Sequence, residues 1–146
     1  MQFTKIKDNH TCDCFTGSDE NNTDKFVRKV SKSPSLKERD FKSHIERGKI
    51  AENANNCEEI CGLHGLSFEI WNSESSELLM KKYLTTVAIS PQSKKNLSVI
   101  NFKPNSGLIK HTPNQIEYNE FHHDFYKEDS FTIENLELIE MISLSI

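Results

Sequence analysis

The spacing of hydrophobic residues along the chain changes near Gly65. Before this point, the apolar residues of DKFVRKV and SPSLKERDFKSHIERGK recur at intervals that fit one face of a helix. After it, LSFEIW alternates apolar and polar residues, as a strand does when one of its faces is buried. The pattern therefore predicts helices in the N-terminal part of the chain and strands in the C-terminal part.

The segments after LSFEIW extend this prediction. SESSELLMKKYL is predicted to form a short helix capped by Ser73 or Ser75. Strands are predicted in LTTVAIS, NLSVINF, GLIKHT, IEYNEFHHDFY and FTIENLELIEMISLSI. The last of these also fits a helical stripe, but a strand is preferred. Turn-forming clusters separate the segments at intervals of about ten residues, which favours antiparallel hairpins over parallel crossovers.

The predicted fold class is therefore α+β, with short N-terminal helices packed on a C-terminal antiparallel sheet of about four to six strands. The 146 residues are expected to form a single domain, 1–146. Within it, residues 1–64 form a helical, cysteine-bearing part and residues 65–146 form a strand-rich part.

Composition and charge exclude several classes of partner. The formal net charge of −4 offers no basic face for a nucleic acid. No apolar run approaches the ~20 residues that a membrane span requires. The first ten residues, MQFTKIKDNH, lack the apolar region of a secretory signal. We therefore expect a cytoplasmic protein with neither a membrane nor a nucleic acid as its partner.

The stretch CEEICGLHG is the most unusual local motif. CEEIC is predicted to form one or two helical turns that end at Gly62. Cys57 and Cys61 are four residues apart, so on a helix they project from the same face. His64 follows the turn at Gly62 and would lie close to them.

A second pair of cysteines, Cys12 and Cys14, lies in HTCDCF. Four thiolates, or three thiolates and one histidine, complete the tetrahedral shell of structural zinc. The predicted zinc ligands are Cys12, Cys14, Cys57, Cys61 and His64.

Two alternatives to zinc stay open. The gaps within the cysteine pairs are not the two-residue gaps that are commonest in zinc sites, and free cysteines often behave as small buried apolar residues. Disulfides between the two pairs are the third alternative. They are disfavoured if the protein is cytoplasmic, because disulfides are rare in a reducing compartment.

NEFHHDFY contains the second cluster of reactive side chains. On a strand, Glu120, His122 and Asp124 share one face, and His111 lies near them if the preceding segment pairs as a hairpin. Two flanking carboxylates would raise the pKa of His122, and the group could serve acid–base chemistry or hold a metal. The alternative is a solvated sheet face whose charges balance one another.

The intervening residues of this strand are predicted to point toward the core. They are Phe121, His123 and Phe125. His123 would then be a core histidine, packed between two phenylalanines, rather than a ligand.

Recognised catalytic motifs are missing from the sequence, since it contains no glycine-rich phosphate loop, no HExxH and no GxSxG. The leading hypothesis is a non-enzymatic binding or assembly module, a subunit that docks onto a larger protein partner and that structural zinc would brace. The apolar C-terminal strand MISLSI would supply the docking edge. The alternative is a small hydrolase or transferase, such as a toxin-like or defence-associated effector, that uses Glu120, His122, Asp124 and His111.

Overall fold

The computed structural model describes residues 1–8, 10–50, 54–113 and 119–145. In this part of the chain, six antiparallel strands form one sheet with the order β4-β5-β2-β1-β3-β6. The strands are β1 (Lys25–Val30), β2 (Leu66–Trp71), β3 (Asn96–Phe102), β4 (Gly107–His111), β5 (His122–Lys127) and β6 (Leu136–Ser143). The helices are α1 (Thr4–Lys7), α2 (Cys57–His64) and α3 (Ser76–Ile89), with 3-10 turns at Glu38–Phe41 and Ile133–Asn135.

One face of the sheet carries the larger apolar core, which we call the phenylalanine face. It is defined by four almost fully buried rings, Phe26, Phe68, Phe102 and Phe125, each from a different strand. The rings of Phe102 and Phe125 stack with their centroids 4.2 Å apart. Phe41 covers this face from outside the sheet and is also fully buried. Aromatic burial of this kind supplies much of the stability of a small domain.

The opposite face, which we call the polar face, has two covers. Over its middle strands lies α3, where Leu79 and Tyr83 pack against Val27, Leu97 and Val99. Ser75, at the start of α3, donates a hydrogen bond to the Ile70 carbonyl at 2.6 Å, which fixes the helix to the end of β2. No helix in the described part of the chain is both long and apolar enough to cross a membrane.

The second cover lies over β4 and β5 and contains the cysteines. Two disulfides, Cys12–Cys57 and Cys14–Cys61, join the N-terminal segment to α2. The Cys14–Cys61 disulfide packs with Phe3, Ile6 and Tyr126 in a small apolar cluster. The N-terminal segment is thus fixed to the polar face by covalent bonds as well as by packing.

The mixed α+β class and the antiparallel sheet agree with the sequence-based prediction, and the C-terminal segment forms a strand as preferred. The helices, however, are short and lie between strands rather than forming an N-terminal helical layer. The single-domain organisation and its division at residues 64 and 65 stay predictions, although β1 lies in the part that was predicted to be helical.

Three predicted elements were wrong. DKFVRKV forms β1, because Phe26 and Val30 face one core while Val27 faces the other, so both faces of this central strand are covered. Only Glu38–Phe41 of SPSLKERDFKSHIERGK is a 3-10 turn, and Phe41 is its buried anchor. LTTVAIS belongs to α3 up to Ile89 rather than to a strand.

Helix α3 continues through residues that favour strands, and the hydroxyls of two of them are satisfied by hydrogen bonds within the helix. The hydroxyls of Thr85 and Thr86 donate to the backbone carbonyls of Lys81 and Lys82, one turn earlier. Likewise α2 does not end at Gly62 but continues to His64 and is closed by Gly65. His64 therefore lies on the helix and not beyond a turn.

Candidate functional site

A cavity of about 250 Å³ lies on the polar face, between β1, β2, α3 and the turn that precedes β5. Strand alternation explains its polar walls. Leu66 and Phe68 of β2 face the phenylalanine core, so Ser67 and Glu69 project to the opposite side. In the register of β2 with β5, Glu69 is opposite His122. The cavity therefore collects polar side chains from strands whose other faces are apolar.

Glu69 is buried in the cavity wall, with 8% of its surface exposed. Its carboxylate accepts hydrogen bonds from the Tyr83 hydroxyl and from the Asn119 side-chain amide. The Lys82 ammonium is 3.7 Å away. Burial raises the pKa of Tyr83, and the adjacent Glu69 raises it further, so the phenol stays protonated and donates to the carboxylate.

His122 forms the floor of the cavity and is only 2% exposed. Its Nδ1 lies 3.0 Å from the Thr112 carbonyl oxygen and 2.8 Å from the Thr112 hydroxyl. A carbonyl can only accept, so Nδ1 carries the ring proton and donates it. Nε2 is then free to accept from the Ser67 hydroxyl, whose Oγ is 3.1 Å away.

Burial lowers the pKa of His122, and the nearby charges of Lys82 and His111 lower it too, against the opposing effects of the Thr112 carbonyl and Glu69. The imidazole is therefore neutral at pH 7. A neutral histidine with one nitrogen oriented by a carbonyl and the other facing a hydroxyl has the arrangement of a general base.

Asp124 is buried beside this pair, with 1% of its surface exposed. Burial raises its pKa to about 7, although a hydrogen bond with the Thr112 side chain and the charge of Lys110 act in the opposite direction. Within the described residues, its Oδ2 atom has no hydrogen-bond partner. A Cβ on Gly65 would lie 2.8 Å from the Asp124 Cβ, so glycine permits the end of α2 to close over this carboxyl group.

Three lysines give the cavity a positive wall. The Lys94 ammonium is 3.0 Å from the Asp40 carboxylate, and the Lys82 ammonium is 3.7 Å from the Glu69 carboxylate. Lys29 has no ion pair among the described residues. Burial lowers the pKa of Lys29, and repulsion from Lys82 and Lys94 adds to this effect, while Glu69 opposes it. The excess of ammonium groups over the one carboxylate favours an anion in the cavity.

The structure brings together only part of the site predicted on NEFHHDFY. His122 and Asp124 share one face, as expected, but that face is buried and not solvated. Glu120 is exposed in the turn before β5, and its backbone carbonyl, not its carboxylate, accepts from His111 Nε2 at 2.6 Å. The His111 ring lies against His123 on the other face, at 4.8 Å between centroids. Neither Glu120 nor His111 thus joins His122 through its side chain.

The expected rise in the pKa of His122 was also wrong, because burial lowers this pKa and outweighs the effect of Glu69, the one carboxylate that raises it. Ser67, Glu69 and Thr112 were not identified from the sequence. Ser67 and Glu69 are the polar positions of the alternating strand LSFEIW, which is the signal that could have indicated them.

The aromatic residues of the same segment are only partly as predicted. Phe125 is buried, which confirms the prediction for that residue. Phe121 lies before β5 and packs against the cluster under α3, so the two rings are on different faces. His123 is half-buried, with its ring 5.3 Å from that of Phe26.

The cysteines adopt the alternative that the sequence favoured least. Their Cα atoms are 5.5 Å apart in the Cys12–Cys57 disulfide and 5.4 Å apart in the Cys14–Cys61 disulfide. In the described part of the chain, no group of three or more His, Cys, Asp or Glu side chains is arranged to hold a metal. Sulfur in a disulfide is not a thiolate, so the predicted zinc site applies only to a reduced chain.

His64 is buried beside the disulfides, and its ring lies 5.0 Å from that of His10. Burial lowers the pKa of His64, and so does the proximity of His10, while Glu46 acts in the opposite direction. Its Nε2 has no hydrogen-bond partner among the described residues. His64 therefore remains near the cysteines, as the sequence predicted, without ligating anything in this oxidised structure.

Comparison with known proteins gives no match, whether with family models, with curated proteins or with solved structures. Function must therefore be inferred from the cavity and the side chains that line it.

Proposed function

We propose that this protein binds a small anionic molecule in the cavity between β1, β2 and α3. The observation that carries the proposal is Lys29, a half-buried cation in the cavity wall with no ion pair among the described residues. A buried charge without a counterion is costly, and an anionic ligand would supply one.

The size and charge of the cavity indicate the class of ligand. A volume of about 250 Å³ is just below the usual range for small-molecule sites, which suits a ligand of few atoms. Lys82 and Lys94, whose side chains are 40% and 43% exposed, stand where a ligand would enter. A carboxylate or phosphate group is the kind of anion that several ammonium donors bind well.

Isothermal titration calorimetry with glutarate and with inorganic phosphate tests the proposal, with the neutral glutaramide as a control ligand. Lys29→Gln should weaken binding of either anion at least about ten-fold, because it removes a charge-assisted contact. Lys103→Gln is the matched control, since Lys103 is an exposed lysine that does not line the cavity. Failure of both anions to bind, or unchanged binding by Lys29→Gln, would contradict the proposal.

A protein partner remains a second proposal, and β6 is the observation that favours it. In the described part of the chain, β6 pairs only with β3, whereas the other edge strand, β4, is covered by backbone hydrogen bonds between Ile109 and Asp19. Glu137 and Glu140 are exposed along β6, so a basic strand would complement it.

Titration with a synthetic peptide of alternating lysine and valine, followed through the β6 backbone amides by NMR, tests strand addition. Slower hydrogen exchange along β6 is the expected result. Unperturbed β6 amides at millimolar peptide would contradict docking at this edge.

Two further expectations from the sequence also stay proposals. Zinc held by Cys12, Cys14, Cys57 and Cys61, with His64 as an alternative ligand, would require reduction of both disulfides. Elemental analysis of the protein, reduced and then freed of excess metal, tests it: one equivalent of zinc supports the site, and none contradicts it. A cytoplasmic location is a weaker expectation, because paired disulfides are more typical of oxidising compartments.

A further inference from the structure

We propose that Ser67 and His122 act as nucleophile and general base in the hydrolysis of esters of small carboxylic acids. The acid part of such an ester carries, besides the esterified carboxyl group, a second group that is anionic. This inference rests on the proposed anion binding, because the lysines of the cavity would hold the second anionic group. It gives a specific chemistry to the hydrolase that the sequence suggested as an alternative, and it retains His122 but adds Ser67 in place of the other residues.

The geometry of the pair is that of an activated serine. Ser67 Oγ lies 3.1 Å from His122 Nε2, within the range of a hydrogen bond. The Thr112 carbonyl accepts from Nδ1 at 3.0 Å, which fixes both the orientation of the ring and its tautomer. The lone pair of Nε2 is thus directed at the serine hydroxyl, as the transfer of its proton requires.

The position of Ser67 distinguishes it from a serine whose hydroxyl only donates to a backbone carbonyl within the sheet. Ser98, on β3, is fully buried and donates to the Arg28 carbonyl at 3.1 Å, and it does not line the cavity. Ser67 is partly exposed and lines the cavity together with His122. A hydroxyl that faces both an oriented histidine and open space can meet a ligand.

The charges of the cavity suit an anionic ester. Lys29 lies on β1 and Ser67 on β2, which are neighbouring strands, and both side chains line the same cavity. An ammonium group in this position can bind the second anionic group of the substrate or stabilise the charge that develops on the carbonyl oxygen. The polar side chains therefore combine binding and chemistry within one small volume.

The reaction balances without a cofactor. As Ser67 Oγ bonds to the ester carbonyl carbon, Nε2 of His122 takes the hydroxyl proton. The bond from that carbon to the alcohol oxygen then breaks, and the alcohol leaves with the proton from Nε2. Water next attacks the acyl carbon and gives a proton to Nε2, the bond to Oγ breaks, and Oγ regains that proton. The acid leaves with its new carboxyl group protonated, and this group ionises in water at neutral pH. The net products are therefore an alcohol, a dianionic acid and one proton.

Hydrolysis of mono-4-nitrophenyl glutarate, followed by release of 4-nitrophenolate, tests the proposal. Ser67→Ala and His122→Gln should each lower kcat/KM by at least about 100-fold, the usual range for loss of a nucleophile or its base. Ser98→Ala is the matched control and should keep the wild-type rate. Because burial lowers the pKa of His122, the rate should rise with pH at a midpoint below the ~6.5 of free imidazole.

A fluorophosphonate gives a second measurement that does not depend on a variant folding. The wild-type protein should become phosphonylated on Ser67, with fluoride as the leaving group, and glutarate should protect it. Peptide mapping by mass spectrometry identifies the labelled residue.

The outcomes separate this proposal from the one it rests on. Glutarate that binds without hydrolysis or labelling overturns the catalytic proposal and leaves the binding proposal intact. Absence of binding, hydrolysis and labelling overturns both. Hydrolysis that survives Ser67→Ala, or a label on another residue, also overturns the assignment of Ser67.

Discussion

On one face of the sheet, Phe26, Phe68, Phe102 and Phe125 pack ring against ring, whereas the other face buries Glu69, His122 and Asp124. Two strands, β2 and β5, contribute to both sets, so each alternates between a residue that stabilises the fold and one that is costly to bury. The phenylalanine face therefore supplies stability, whereas the ionisable groups of the polar face are costly to bury, which is why we place the proposed binding site there.

The phenylalanine face also contains a charged group, Arg28, and it shows how such a group is accommodated. The guanidinium lies 5.9 Å from the ring centroids of Phe41 and Phe68 and donates to the carbonyls of Asp40 and Ser67 at 2.7 and 2.9 Å. Burial lowers its pKa to about 10, so it stays charged at neutral pH. On the polar face, by contrast, Asp124 Oδ2 has no hydrogen-bond partner within the described residues, and Lys29 forms no ion pair with them.

The largest effect of a single substitution is expected from removing a ring of the phenylalanine face. Phe125→Ala should lower the free energy of unfolding by about 3–5 kcal/mol, because it leaves a cavity among well-packed rings. Ile139→Ala, at a 40% exposed position on β6, is the control and should change stability by less than about 0.5 kcal/mol. Chemical denaturation measures both. Equal effects for the two variants would show that the phenylalanine face is not the main core.

The second prediction concerns Asp124 and pH. Its pKa is raised by folding from the ordinary 3.8 to about 7. The unfolded chain therefore releases this proton at lower pH than the folded protein does. The stability that the neutral carboxyl group contributes is present below about pH 4 and is lost as pH rises to about 7. Between pH 5 and pH 8 the loss should be on the order of 2–3 kcal/mol.

Asp124→Asn should remove most of this loss, as measured by denaturation at both pH values. His122 acts in the opposite direction, because its lowered pKa stabilises the fold as pH rises toward ~6.5. His122→Gln is therefore the matched control, and it should make the decline above pH 5 steeper. If Asp124→Asn keeps the wild-type pH dependence, then Asp124 is not the buried acid that we describe.

A third prediction addresses the disulfides that fix α2 over Asp124. Cys12–Cys57 and Cys14–Cys61 span similar separations, 45 and 47 residues, so either one closes the long loop. With one disulfide kept, the long loop stays closed and only the short loop between the two disulfides is released. Replacing one pair with serine should therefore cost roughly 2–3 kcal/mol of stability. Replacing both pairs should cost more than twice that amount. Additive losses in thermal denaturation would contradict this explanation.

The smallest effect is expected at Glu69. Tyr83→Phe removes one hydrogen bond to a buried carboxylate and should cost about 1–2 kcal/mol without changing the fold. Tyr126→Phe is a useful comparison, because Tyr126 is equally buried but lies in the cluster next to the disulfides. Tyr83→Phe should also weaken glutarate binding, whereas Tyr126→Phe should not.

Hydrophobic alternation was enough to predict β2 and β4. It also predicted β3, although this strand faces one core through Leu97 and Val99 and the other through Ile100 and Phe102. It was not enough for β1, because Phe26, Val27 and Val30 fit a helical stripe as well as a strand buried on both faces. The sequence could place His122 and Asp124 on one face but not their burial, because the covers of that face come from distant parts of the chain.

The partner of His122 illustrates the same limit. Ser67 lies 55 residues before His122 in the sequence, and only the pairing of β2 with β5 brings them together. No local spacing encodes such a contact. The sequence also could not decide whether the cysteines form disulfides, because four cysteines can pair in several ways or remain reduced.

The most direct test of this account is to map glutarate binding by NMR, using the chemical shifts of the backbone amides and of the histidine rings. We predict that shifts concentrate on the polar face, at Lys29, Ser67, Tyr83 and His122. The amides of Phe26 and Phe102 should move little. Shifts that cluster instead along β6, or that are spread evenly over the surface, would contradict the assignment of the polar face as the binding site.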